Sequence, residues 1–377
     1  MKQIPPVDLT RQYQLIKTEA DSAVLEILSS GRYIGGEAIS TFEQEFANYT
    51  GVTECVSCNS GTDALFLALR AFDIGSGDEV ITTPFSFFAT AEVITRVGAK
   101  PVFVDLDLDT FNFNLAQIEQ AITPNTKAIM PVHLFGQPVD MTQLMAIAKK
   151  HQLYVIEDCA QAAGAAWSER KIGSVGDVGC FSFFPTKNLG ACGDGGAITT
   201  NNSAIAKQMR VLKEHGSPSR YRHDFVGINS RIDAVQAVIL SVKLPYLDYW
   251  NQQREKAAHY YQELLQHIDA LKLPQALSGG TSVWNQYTVR IQQQSASKRG
   301  RELLQQKLRD RGVISMIYYP IPLHLQPVYE NLGYKKGQLP KVEQAAQEVL
   351  SLPMFPGIAP DEQEQVVDTL KDCLLEI

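Results

Sequence analysis

With 377 residues, 45% hydrophobic and 20% charged, the chain has the balance of an ordinary globular protein, long enough for two domains. A formal net charge of −7 argues against a general nucleic-acid or anionic-membrane surface, so a phosphate-bearing ligand must be held by local groups.

Met1-Lys2-Gln3-Ile4-Pro5-Pro6 has no apolar core followed by a cleavage site, so no signal peptide is expected. No apolar run approaches the roughly 18 residues that a membrane span needs. The six cysteines are scattered, which fits a reducing cytoplasm better than a disulfide scaffold. Cys55-Val56-Ser57-Cys58 is formally a CxxC, but with no second pair or histidine partner it reads as packing, and no metal site is expected.

Residues 10–30 place Leu15, Ile16, Ala20, Ala23, Val24, Ile27 and Leu28 at helical spacing, with Gly31 as the stop. A second amphipathic helix spans 38–49, with Phe42, Phe46 and Tyr49 on one face. A short strand over 54–56 leads to Ser60-Gly61-Thr62 and an apolar helix over 64–72. A strand, a small-residue turn and a helix start make a natural anion site, although a plain Ser N-cap explains the serine equally. The strand 79–83 ends at Pro84, and Phe85-Ser86-Phe87-Phe88 opens the next helix. An aromatic side chain there can stack on a flat heterocycle, or both Phe87 and Phe88 belong to the core. Strands at 101–105 and 128–134 and helices at 115–121 and 141–149 continue the alternation. Such βα repeats imply a parallel sheet covered on both faces, with ligands beyond the strand C-termini.

The apolar run Leu153-Tyr154-Val155-Ile156 ends in Glu157-Asp158-Cys159-Ala160-Gln161, and Lys187 follows the aromatic-rich Phe181-Ser182-Phe183-Phe184. An acid where a buried strand ends and an amine just past a second apolar run are the two handles that pyridoxal phosphate requires. The carboxylate keeps the pyridine nitrogen protonated; the amine forms the Schiff base and then shuttles the proton. Gly190, Gly193, Gly195 and Gly196 let the backbone approach a ligand closely. Ser182 is placed to donate to a phosphate, or to bond its own backbone. A strand at 196–200 and a helix at 205–213 precede the polar stretch 214–223, where Arg220, Tyr221, Arg222 and His223 suit either an anionic substrate or plain solvent. After Pro245 long amphipathic helices (248–267, 298–310, 361–375) surround strands near 283–291 and 313–317. We therefore expect a large domain over 1–245 and a smaller α+β domain over 246–377.

Four motifs in order and at matching spacing, Ser60-Gly61-Thr62-Asp63-Ala64-Leu65, Glu157-Asp158-Cys159-Ala160-Gln161-Ala162, Phe181-Ser182-Phe183 through Lys187, and Gly227-Ile228-Asn229-Ser230-Arg231-Ile232-Asp233, resemble the DegT/DnrJ sugar aminotransferases. The likeness runs from about Gly31 past His324. It implies an α/β fold, the PLP-dependent transferase fold type I, with pyridoxal 5'-phosphate held as a Schiff base on Lys187 and pyridoxamine phosphate as intermediate. By the same resemblance Gly61, Thr62 and Ser182 hold the phosphate, Phe87 stacks on the ring, Asp158 pairs with its nitrogen and Gln161 meets its hydroxyl. Asn229 is implied to reach the other subunit's cofactor phosphate, making a homodimer with shared active sites. Tyr319, His324 and Arg231 are implied on the substrate side. The implied reaction moves an amino group from L-glutamate to a nucleotide-diphosphate ketosugar for amino-sugar or polysaccharide biosynthesis. The Ser-Gly-Thr-Asp-Ala-Leu form is closer to members that aminate C3 of a 3-ketosugar than to those acting at C4, while dTDP and UDP stay open. A same-fold sugar dehydratase carries His where this chain has Lys187. A DNA-binding regulator meets the acidic charge and the lack of a recognisable helix-turn-helix.

Overall fold

A computed structural model describes residues 3–292 and 298–377. Its large sheet has seven strands in the order Glu54–Cys58, Gly196–Thr200, Val178–Ser182, Tyr154–Asp158, Thr126–Met130, Glu79–Thr82, Lys100–Phe103. Gly196–Thr200 is antiparallel to both neighbours and the other pairings are parallel, so six strands point their C-termini to one edge. Successive side chains of a strand leave opposite faces. Val155, Ile81, Ile129 and Phe181 accordingly enter one core, while Ile156, Val80, Ala128 and Cys180 enter the other.

Helices seal both faces. Phe42 and Phe46 of the Glu37–Thr50 helix pack on the first, where the Phe46 ring meets Phe181 edge-on at 4.9 Å and Phe183 at 5.3 Å. The Gly61–Ala71 and Ser203–Leu212 helices cover the second. Burying each such side chain stabilises the fold by about 1.5–3 kcal/mol. Helix limits follow local chemistry: Asp8, Ser60, Asp140, Asn202 and Asp233 accept amide hydrogens at helix starts. Gly31 and Gly51, at φ 67 and 80, end the first two helices in the left-handed region.

A three-stranded antiparallel sheet, Leu271–Lys272, Tyr287–Ile291 and Val349–Leu352, organises the smaller unit. The Leu247–Leu265, Lys298–Asp310 and Pro360–Leu374 helices surround its core. The strand expected from residue 283 starts only at Tyr287, because Val283 and Asn285 donate their amides to Gly136 and Phe135. The strand expected over 313–317 is reduced to two isolated bridges, Ile4 with Val313 and Met316 with Ser351. Ile4 thus packs with the C-terminal core, although it lies far from it in sequence. A seam of Phe85, Phe103, Phe135, Leu323, Tyr329 and Val342 joins the two units.

Candidate active site

The C-terminal edge of the large sheet opens on a cleft of about 420 Å³. Segments at the ends of the other six strands deliver its lining; the edge strand Lys100–Phe103 does not reach it. After Glu54–Cys58 the chain turns through Ser60, whose hydroxyl accepts the Asp63 amide at 3.1 Å and caps the helix. The first intrahelical bond runs from the Ala64 amide to the Ser60 carbonyl at 2.9 Å, leaving the Gly61 and Thr62 amides at the helix start without intrahelical acceptors. Gly61 cannot carry a side chain, since its Cβ would stand 2.7 Å from that of Ser182. This close approach brings Gly61, Thr62 and Ser182 together on the cleft wall.

Asp158 ends the Tyr154–Asp158 strand inside the cleft and is buried. The Thr90 hydroxyl donates to its Oδ2 at 2.8 Å and the Ala160 amide to its Oδ1 at 3.2 Å. Thr90 has one proton, which it spends on the carboxylate, so Ser86, 2.8 Å away, donates to Thr90. Burial raises the Asp158 pKa; the Thr90 and Ala160 bonds and the nearby Lys187 charge hold it down in part. Lys187 lies in a tight turn, its amide donating to the Phe184 carbonyl at 2.8 Å. Burial pushes its amine down to about 8, against the opposing pull of Asp158. An amine poised there exchanges protons readily near neutral pH.

The wall opposite in character is aromatic and amide-lined. Phe87 is 60% exposed and lines the cleft, whereas the Phe88 ring packs on Tyr329 at 5.8 Å, so of the two only Phe87 is available to a ligand. Gln161 accepts the Phe135 amide at 2.6 Å through Oε1 and donates to the Tyr319 hydroxyl at 3.1 Å. Both residues line the cleft, as do Gln286 and Tyr318.

Three of the expected residues do not line this chain's own cleft. His324 is corrected from a cleft residue to a buried one: its Nε2 bonds Glu343 at 3.3 Å, and its ring stands edge-on to Tyr334. Burial lowers its pKa, so it is unsuited to carry charge to a phosphate. Arg231 pairs with Glu214 at 3.2 Å, away from the cleft lining. Asn229 is exposed on the surface of the single chain. The Arg220–His223 stretch is also exposed and outside the cleft; Arg222 pairs with Asp224 at 2.8 Å. Sequence reading passed over Ser86, Thr90 and Gln286; Ser86 lies in the bend before the Ala89–Arg96 helix, so no helical spacing links it to Thr90.

Behind the sheet, His133, Glu157 and Cys159 gather three ligand-type atoms within 4.8 Å. Their polar atoms are engaged. Glu157 accepts amides of Gly173 (3.1 Å), Val175 (3.0 Å) and Gly176 (2.7 Å) and bonds His133 Nε2 at 3.1 Å. His133 Nδ1 accepts the Val139 amide at 3.1 Å, so the proton sits on Nε2 and is donated to Glu157.

The profile of the DegT/DnrJ/EryC1/StrS aminotransferase family matches residues 14–371. A "Pleiotropic regulatory protein" of Geobacillus stearothermophilus is 48% identical over 98% of each chain. A UDP-N-acetyl-3-dehydro-alpha-D-glucosamine 3-aminotransferase of Acidithiobacillus ferrooxidans is 45% identical, again over 98% of each. The crystal structure of S. venezuelae DesV in complex with a ketimine intermediate superposes with a TM-score of 0.94 at 39% identity, covering 99% of this chain and 98% of that one.

Proposed function

The chain belongs to the DegT/DnrJ/EryC1/StrS aminotransferase family, and on that premise we propose that it moves an amino group from L-glutamate to a nucleotide-linked 3-ketosugar, with pyridoxal phosphate as cofactor. One observation carries the reading: a buried acid, Asp158, and a buried-environment amine, Lys187, face the same cleft as a free helix start.

The residues fit the cofactor. The Gly61 and Thr62 amides and the Ser182 hydroxyl would hold its phosphate, and a side chain at 61 would fill that cradle. Asp158 would keep the ring nitrogen protonated, Phe87 would cover a ring face, and Gln161 would meet the ring hydroxyl. When bound, the cofactor draws electron density from the substrate carbon. Lys187 would hold it through its amine and would move the proton at that carbon; its lowered pKa makes the neutral base accessible. The name of the Acidithiobacillus relative supports amination at C3.

We further assign a homodimer. An apolar groove of about 730 Å³ lies between the Leu9–Ser30 and Ala234–Lys243 helices, and Leu25 is 63% exposed beside it. A second copy seated there, with Asn229 serving its site, makes the assembly this family reading calls for. A cytoplasmic location fits the six free cysteines; among the described residues, no helix is long and apolar enough to cross a membrane. The name of the Geobacillus relative favours a regulatory role as a second reading; sequence-specific, cofactor-independent DNA binding at moderate salt would support it.

The visible spectrum of the purified protein, before and after L-glutamate, tests the first reading. A cofactor band that glutamate bleaches, followed by amination of dTDP- or UDP-linked 3-ketosugars, is the expected result. A band unmoved by glutamate overturns the donor, and turnover of 4-ketosugars alone overturns C3.

A further inference from the structure

Ser230 is completely buried, and it joins the two ends of the turn that opens the Gly61–Ala71 helix. Its hydroxyl oxygen accepts the Asn59 amide at 3.1 Å, and its proton goes to Asp63 Oδ2 at 2.8 Å. One side chain, 171 positions beyond Asn59, thus brackets Ser60, Gly61 and Thr62 from outside the turn. Ser230 is itself held from a second side. Its amide donates to the Lys213 carbonyl at 3.0 Å, and the Ile228 amide to the Leu212 carbonyl at 2.9 Å. Lys213 Nζ in turn donates to the Ser57 carbonyl at 2.6 Å, on the strand that feeds the turn. The loop has no room to slide, since a Cβ at Gly227 would stand 2.2 Å from the Gly216 nitrogen and 2.3 Å from the Leu212 carbonyl oxygen.

Asp63 gives this clasp a purpose. It is the acid of the helix's first turn, where it suits the helix dipole. The same turn carries the Gly61 and Thr62 amides, and a phosphate bound to them meets a charge of its own sign. The carboxylate does not line the cleft: Ser230 holds Oδ2, and Oδ1 lies 3.7 Å from Arg96. Ser230 does not line the cleft either, so whatever it does for a ligand it does through these neighbours.

Resting on the aminotransferase reading, we propose that Ser230 is a positioning residue for the cofactor phosphate. Through Asn59 and Asp63 it sets the Gly61 and Thr62 amides and holds the Asp63 carboxylate aside from the anion, without touching the cofactor.

The full chain, freed of cofactor, is titrated with pyridoxal phosphate and separately with pyridoxal, which lacks the phosphate; the visible band that each aldehyde gives with Lys187 reports binding. Ser230→Ala should bind pyridoxal phosphate about tenfold more weakly and pyridoxal as wild type does, a split that general loosening of the fold does not produce. Ser230→Cys, close in shape but a poor hydrogen-bonding group, should show the same split and serves if the alanine variant does not fold. Adding Asp63→Asn to Ser230→Ala should recover part of the lost pyridoxal phosphate affinity, because the repelling charge is gone. Equal losses for the two aldehydes, no loss for pyridoxal phosphate, or no recovery with Asp63→Asn overturns the assignment. A wild type that gives no band with either aldehyde instead overturns the aminotransferase reading beneath it.

Discussion

Glu157 and Asp158 are consecutive acids on one strand, and they have opposite fates. Alternation sends Glu157 behind the sheet, where three amides and the His133 ring consume its acceptor capacity. Asp158 faces the cleft with two donors, Thr90 and Ala160, and keeps lone pairs for something else. A carboxylate oxygen pair accepts about four hydrogen bonds. The saturated acid is a staple for the 173–176 loop, and the unsaturated one is the reagent. What separates a structural acid from a reactive one here is spare acceptor capacity; both are buried.

Loss of the reactive side should be the largest effect. Lys187→Ala is expected to bring turnover below detection while circular dichroism stays native; full activity would sink the assignment. Asp158→Asn should lower kcat by roughly three orders of magnitude with little change in the urea midpoint. Its neighbour divides the other way: Glu157→Gln leaves two buried donors unmatched and should cost about 3 kcal/mol in urea unfolding, with turnover per folded molecule retained. If both variants fell in the same assay, the division between staple and reagent would be lost.

Smaller effects sharpen the same contrast. Thr90→Val removes a donor from the reagent and should lower kcat roughly tenfold, with Thr90→Ser restoring it. A loss that serine fails to rescue would point to packing. Lys187 adds a signal of a different kind, a pH dependence of apoprotein stability. Its folded pKa is depressed to about 8, so the folded chain resists the charged amine below that pH and regains stability as pH climbs from about 8 toward 10.5. The melting temperature of apo Lys187→Met should therefore exceed wild type most below pH 8, and the gap should narrow toward pH 10.5.

The alternating strands, the turn at Ser60, and the positions of Asp158 and Lys187 are legible because each rests on contiguous residues with a local period or cap. Ser86 and Thr90 are not, since Thr90 gains meaning only from Asp158, 68 positions on and two strands away in the sheet. Phe87 and Phe88 sit in an irregular turn where no periodicity assigns a face. His324 follows a run of prolines and aromatics that reads as an open loop, yet the seam between the units closes over it. The Val349–Leu352 strand hides at the end of a helix that begins at Pro340, with no turn residue between them.

Ile4 gives the folding of this chain a timetable. Its amide and carbonyl bond Gly312 and Ile314, and the Pro6 carbonyl accepts the Met354 amide. On a ribosome adding about 5–20 residues per second, the segment around Ile4 waits on the order of tens of seconds for those partners to be made. The large sheet, complete by Thr200, is free to assemble in the meantime. The segment around Ile4, made well before its partners, is thus among the last to find its place, and it closes the smaller unit as a drawstring closes a bag.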